Sequence, residues 1–126
     1  MNSPRGRILC TEDDSDTRDL IITMLSLDGY DVLCSENGEE ALKLARTGKF
    51  DLYIIDNWLP DIPGPKLTAR IREFDSKTPI LFYSGAGYAA DKEAARQAGA
   101  QSYLVKPIDT NLLLAEVDRL ISQHSS

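Results

Sequence analysis

Five short apolar runs alternate with five longer segments of helical period along the 126 residues of this chain. The runs are Arg7 to Thr11, Asp31 to Ser35, Asp51 to Asp56, Pro79 to Ser84 and Ser102 to Lys106. Hairpins cannot join strands separated by helix-length segments, so the alternation predicts a parallel sheet with right-handed helical crossovers. Leu52-Tyr53-Ile54-Ile55 has no polar alternation and reads as a strand buried on both faces. The expected fold class is α/β, a three-layer, doubly wound (βα)5 sandwich.

The helical segments carry their own start and stop signals. The first covers Asp16 to Leu27, with Leu20, Ile21, Met24 and Leu25 on one stripe and Gly29 just past its end. The second starts at Asn37, with Glu40 three residues on as a capping box, and stops at Gly48. The third follows Gly64-Pro65, with Leu67, Ile71 and Phe74 facing inward. The fourth, Ala89 to Ala98, ends at Gly99 and has few large apolar residues, so it should be the least firmly packed. The fifth is capped by Asp109, packs through Leu113, Val117, Leu120 and Ile121, and leaves Gln123-His124-Ser125-Ser126 as a tail.

Composition narrows the function classes. A hydrophobic fraction of 42% suits one ordinary globular unit spanning 1–126, with a core of about 7–122. No apolar stretch approaches the roughly 20 residues that cross a bilayer, and the polar start lacks a signal-peptide run. A cytoplasmic location without membrane contact is expected. The net charge of −6 argues against direct nucleic-acid binding. Cys10 and Cys34 lack a partner at metal-ligand spacing and read as reduced, buried thiols.

The chemistry lies at the strand ends. In parallel sheets the carboxyl ends of the strands open onto the ligand crevice. Asp56 ends the third run, Glu12-Asp13 follow the first, Ser84 ends the fourth and Lys106 ends the fifth. Asp14 or Ser15 can cap the first helix, which frees Glu12 and Asp13 to face the crevice. Two carboxylates ~4 Å apart repel by about 4 kcal/mol at an effective dielectric of ~20. Protonation would relieve this; a divalent cation relieves it better, and oxygen-only donors suit Mg²⁺, with Mn²⁺ as a substitute. A carboxylate beside such an ion is placed to attack a phosphoryl group. Ser84 can donate to a phosphoryl oxygen, and Lys106 can pair with the carboxylate before transfer and the phosphoryl after it.

These residues carry a family resemblance. Glu12-Asp13, Asp56, the Leu59-Pro60-Asp61-Ile62-Pro63-Gly64 loop, Ser84 and Lys106-Pro107 occur in the order and spacing of a response regulator receiver domain, from about Arg7 to Ser122. The chain resembles that two-component family, chemotaxis regulators included. The resemblance implies a flavodoxin-like sheet in the order 2-1-3-4-5. It implies that Asp56 is phosphorylated by a phosphohistidine on a sensor histidine kinase or histidine phosphotransfer protein. It assigns Mg²⁺ to Glu12, Asp13, Asp56 and the backbone carbonyl of Trp58, with Glu12 acting mainly through water. Ser84 and Lys106, on a cis Lys106-Pro107 bond, would hold the acyl phosphate, and Tyr103 would be the aromatic switch. The output would be a change in the surface of helix four, strand five and helix five, read by an output protein or domain, or by a second copy in a homodimer. Such a domain is a signalling phosphoacceptor and not an enzyme acting on other substrates. Gln101-Ser102 replace the aspartate usual in the winged-helix subfamily, a departure from its dimer pattern.

Two other readings use parts of the same pattern. A haloacid-dehalogenase-type phosphatase also places an aspartate at a strand end with Mg²⁺, but needs a second acid two residues on, where Trp58 stands. A flavodoxin or dinucleotide-binding module needs a glycine- or hydroxyl-rich first loop, and Thr11-Glu12-Asp13-Asp14 would repel a bare phosphate.

Overall fold

Each apolar run becomes a strand: β1 (Arg7–Thr11), β2 (Asp31–Ser35), β3 (Leu52–Ile55), β4 (Ile80–Ser84) and β5 (Ser102–Val105). The computed structural model describes residues 4–125; Met1 to Ser3 and Ser126, which belong to the expected 1–126 unit, lie outside the described residues. All strand pairs are parallel and the order is β2-β1-β3-β4-β5. The crossovers are α1 (Ser15–Leu27), α2 (Gly38–Thr47), α3 (Gly64–Arg72) and α4 (Ala89–Ala98), and α5 (Thr110–Ser125) follows β5.

Period-two alternation splits the core into two layers. Ile8, Cys10, Leu52, Ile54 and Leu81 face Ile21 and Leu25 of α1 and Leu113 and Val117 of α5. Leu9, Tyr53, Ile55, Ile80 and Phe82 face Ala41 of α2, Leu67 and Ile71 of α3, and Ala95 of α4. Burying a Leu, Ile or Phe side chain is worth about 1.5–3 kcal/mol, so strands apolar on both faces are stabilised only when helices cover both. Ala95 is the one buried residue of α4, which bears out the expectation of light packing there. Among the described residues, no helix is long and apolar enough to cross a membrane.

Local chemistry sets the element ends. Asp14 caps α1 by accepting from the Thr17 amide at 2.9 Å, so the helix starts at Ser15, one residue earlier than predicted. Asn37 accepts from the Glu40 amide at 2.9 Å, but the Glu40 carboxylate takes the Glu36 amide, not that of Asn37. The reciprocal half of the expected capping box is therefore displaced by one residue. Gly99 ends α4 with φ 119°, the left-handed conformation that glycine adopts without a Cβ clash. Asp109 accepts from the Asn111 amide at 2.7 Å at the start of α5.

Five expectations need correction. Leu20 is half exposed and lies off the buried stripe of α1, which runs through Ile21 and Leu25. Phe74 lies beyond the end of α3 and is 40% exposed, its ring instead carrying the Arg46 guanidinium 5.2 Å from its centroid. Gln123, His124 and Ser125 continue α5 and do not form a tail, because nothing in that stretch breaks a helix. Cys10 is buried as expected, whereas Cys34, its register partner on edge strand β2, is only partly buried. β3, β4 and β5 are shorter than their runs by a residue at one or both ends. The pairing nevertheless continues through the Asp56 amide to the Thr11 carbonyl at 3.1 Å and the Lys106 amide to the Ser84 carbonyl at 2.8 Å.

Gly64 fixes how α3 leaves the β3 loop. A Cβ there would lie 2.8 Å from the Asp56 carbonyl oxygen, 2.8 Å from the Phe82 ring and 2.9 Å from the Asn57 Cα. Two of these neighbours are backbone and cannot swing away. Gly64→Ala is expected to destabilise the protein by about 1–3 kcal/mol, the range for overpacking, in urea denaturation monitored by circular dichroism.

Candidate functional site

Register brings the acids together. Thr11 pairs with Ile55, so the next residues, Glu12 and Asp56, leave the sheet side by side. Ile55 pairs with Phe82 and Ser84 with Val105, which places Ser84 and Lys106 on the same carboxyl rim. Glu12 is 2% exposed and Asp56 7%, whereas Asp13 is exposed. One carboxylate oxygen from each of these three residues lies within 4.8 Å of the others. An all-oxygen set at this spacing, with Asp13 open to solvent, fits a hydrated hard cation such as Mg²⁺.

Lys106 holds the acids in place. Its ammonium donates to Glu12 Oε1 at 2.5 Å and pairs with Asp56 Oδ2 at 3.5 Å. It also sits over the Tyr83 ring, 5.4 Å from the centroid. Burial, reinforced by the Asp56 charge, holds the Glu12 carboxyl above the usual carboxylate range, against the pull of Lys106. Burial alone would lower Lys106, but the Glu12 and Asp56 carboxylates outweigh it and leave the ammonium above its ordinary value. The Lys106-Pro107 bond is cis, as the resemblance implies.

The remaining site residues surround this core. Ser84 is fully buried, and its hydroxyl accepts from the Ala86 amide at 3.3 Å. Tyr103 stacks on Phe82 with centroids 5.4 Å apart and donates its hydroxyl to the Ala86 carbonyl at 2.5 Å. Burial raises the Tyr103 phenol, while the Ser84 and Asn57 side chains pull it the other way. The Trp58 amide faces Asp56 Oδ1 at 3.4 Å and the Trp58 side chain is 64% exposed, beside a short backbone bridge to Pro63. No second acid stands two residues after Asp56, so the phosphatase reading has no support.

Sequence reasoning missed Arg18. Its Nη1 donates to the carbonyls of Glu12 and Asp13, both at 2.9 Å, and its Nη2 pairs with Glu36 at 3.1 Å. Arg18 lies one turn into α1, so the helix reaches back to brace the loop that carries the acids. The only available signal was the four-residue spacing from Asp14, which an ordinary surface ion pair shares. Gln101 was read only as a departure from a subfamily pattern; its amide oxygen accepts from the Ile80 amide at 2.8 Å and from Arg72 at 3.0 Å. Removing the Lys106 charge leaves Glu12 and Asp56 buried without a cation. Lys106→Met should cost the metal-free protein about 1–3 kcal/mol, less than a fully buried pair because Lys106 is partly exposed. The double variant Lys106→Met/Glu12→Gln should recover part of that loss in a denaturation cycle.

Known proteins agree with this geometry. The sequence profile of the response regulator receiver domain matches residues 8–118. Transcriptional regulatory protein DltR of Streptococcus agalactiae is 33% identical over 120 residues, 95% of this chain and 53% of that protein. The chain spans about half the length of the curated relatives it matches. A putative response regulator from Chloroflexus aurantiacus superposes with a TM-score of 0.89 at 31% identity, over 95% of this chain and 99% of that one. The receiver domain of a sensor histidine kinase from Pseudomonas aeruginosa, described with magnesium coordinated in its active-site cleft, has a TM-score of 0.86 at 29% identity over 93% and 98% of the two chains. By its sheet order, its strand-end residues and its sequence, the chain belongs to the response regulator receiver domain family.

Proposed function

We propose that Asp56 is the phosphoacceptor of a two-component or phosphorelay pathway, and that residues 1–126 act as one receiver unit. The observation that carries this reading is the convergence of three carboxylates at a strand-end rim with Lys106 paired to two of them. An Asp56 oxygen attacks phosphorus, an oxygen–phosphorus bond forms, and the nitrogen–phosphorus bond of a donor phosphohistidine breaks. The freed imidazole nitrogen keeps the electron pair and takes a proton from solvent. Glu12, Asp13, Asp56 and the Trp58 carbonyl would hold Mg²⁺, whose chemistry is to neutralise charge between the carboxylate and the incoming phosphoryl oxygens. Lys106 turns from the carboxylates to the phosphoryl, and Ser84 donates its hydroxyl to a phosphoryl oxygen.

Signalling follows from charge. The acyl phosphate brings about two negative charges and three acceptors into a nearly buried site. Drawing Ser84 and Lys106 toward them disturbs the Ala86 loop and the Tyr103 hydroxyl bonded to it, and shifts a pre-existing equilibrium in α4, β5 and α5. The lightly packed α4 is the element whose movement costs least. The donor would be a cytoplasmic sensor kinase or phosphotransfer protein. The reader of the α4-β5-α5 surface would be an output protein, an output domain or a second copy. Transcription regulators among the relatives point to control of gene expression, with DNA contact made by another domain.

Incubation with Mg²⁺ and acetyl phosphate, followed by intact mass measurement, tests the chemistry. One hydroxylamine-sensitive phosphoryl adduct is expected, absent in Asp56→Asn and in EDTA. Turnover of phosphate esters without an adduct would defeat the proposal. Arg18→Ala should leave the fold intact in circular dichroism. It should weaken Mg²⁺ binding, followed by Trp58 emission, about tenfold, as loss of outer-shell support does.

A further inference from the structure

A groove with a volume of about 780 Å³ lies away from the phosphoacceptor, between α2 and α3. Lys43 and Arg46 line its α2 side, and Lys66 and Arg70 its α3 side. These pairs are spaced three and four residues apart on their helices, so each forms one row of positive charge along the groove. Leu42, buried under α2, and Ile62, packed against the core, supply an apolar floor.

The acids in the groove are already engaged. Asp61 accepts from the Gly38 and Glu39 amides at 2.8 and 2.9 Å, a stationary cap on α2. Glu39 pairs with Lys43 at 3.6 Å. Among the described residues, Lys66, Arg70 and Arg46 have no acidic partner; Arg46 rests on the Phe74 ring. The four cations and two acids give the groove a formal charge of +2, while the chain carries −6, so everything outside it carries −8. Three cations without an acidic partner beside an apolar floor, in a protein of net negative charge, present a surface complementary to an acidic ligand.

We propose that the α2–α3 groove docks a short acidic segment of a partner protein, its apolar side chains on Leu42 and Ile62 and its carboxylates against the two cationic rows. A groove of this volume takes up one segment of a partner. A nucleic acid is a poorer fit, because its charge would run past the groove onto the −8 remainder. The floor residue Ile62 belongs to the loop between Asp56 and α3, so the docked segment touches the phosphoacceptor loop without entering its site. The inference does not depend on phosphorylation.

Fluorescence anisotropy on the metal-free, unphosphorylated protein tests it, with a fluorescein-labelled peptide of alternating glutamate and leucine. Saturable binding is expected, weakened by salt and by about tenfold in Lys66→Glu/Arg70→Glu. Lys77→Glu, an exposed charge outside the groove, should leave it unchanged, and amide shifts in heteronuclear NMR should cluster on α2 and α3. If the double reversal fails to fold, Lys66→Gln/Arg70→Gln should show the same loss to a smaller extent. Absence of saturation, equal loss in Lys77→Glu, or tighter binding of a single-stranded oligonucleotide or inorganic polyphosphate of equal charge would overturn the proposal. So would self-association of the protein that the peptide cannot displace.

Discussion

Mutual repulsion among Glu12, Asp13 and Asp56 is the constraint around which the rest of the molecule is arranged. Folding gathers these charges because parallel register leaves it no choice: the residues after Thr11 and Ile55 emerge together. One ammonium, Lys106, answers for two of them from the far side of the β4–β5 pair. Lys106 offsets part of that repulsion, and the Mg²⁺ proposed for the site would offset more. Under the proposed phosphorylation, a site balanced in this way would respond strongly, because its members already sit where each further negative group must be matched.

The brace behind the acids matters as much as the acids. Arg18 ties the Glu12 and Asp13 carbonyls to α1, and the Glu12 amide donates to the Ser35 carbonyl at 3.0 Å. Thr11 and Ser35 join their hydroxyls at 2.9 Å just below. Among the described residues, no buried side-chain nitrogen or oxygen is left without a partner. Under the proposed phosphorylation, support of this kind would leave rearrangement to the other half of the sheet, where α4 is lightly held and Tyr103 is attached to a loop carbonyl.

Much of this was legible in the chain. Strands apolar on both faces, each followed by a capped helix, leave few topologies open, and the strand-end residues Glu12, Asp13, Asp56, Ser84 and Lys106 announce themselves by position. Hidden details were those decided by tertiary neighbours. Leu20 and Phe74 fit a helical stripe on paper, yet the inner face of α1 is taken by Ile21 and Leu25, and α3 ends before Phe74. Arg18 looks like any surface arginine until its helix folds over the loop. The cationic groove is assembled from two helices far apart in the chain, so no local window contains it.

Phe82 links features that look separate. Its ring stacks on Tyr103 and closes against the one position, Gly64, where the loop after Asp56 turns into α3. Residue 82 therefore touches both 64 and 103. A smaller side chain at 82 would free the Tyr103 ring, yet any Cβ at 64 would still meet the Asp56 carbonyl and the Asn57 Cα. Position 82 can drift with 103, whereas glycine at 64 is held by the chain's own backbone.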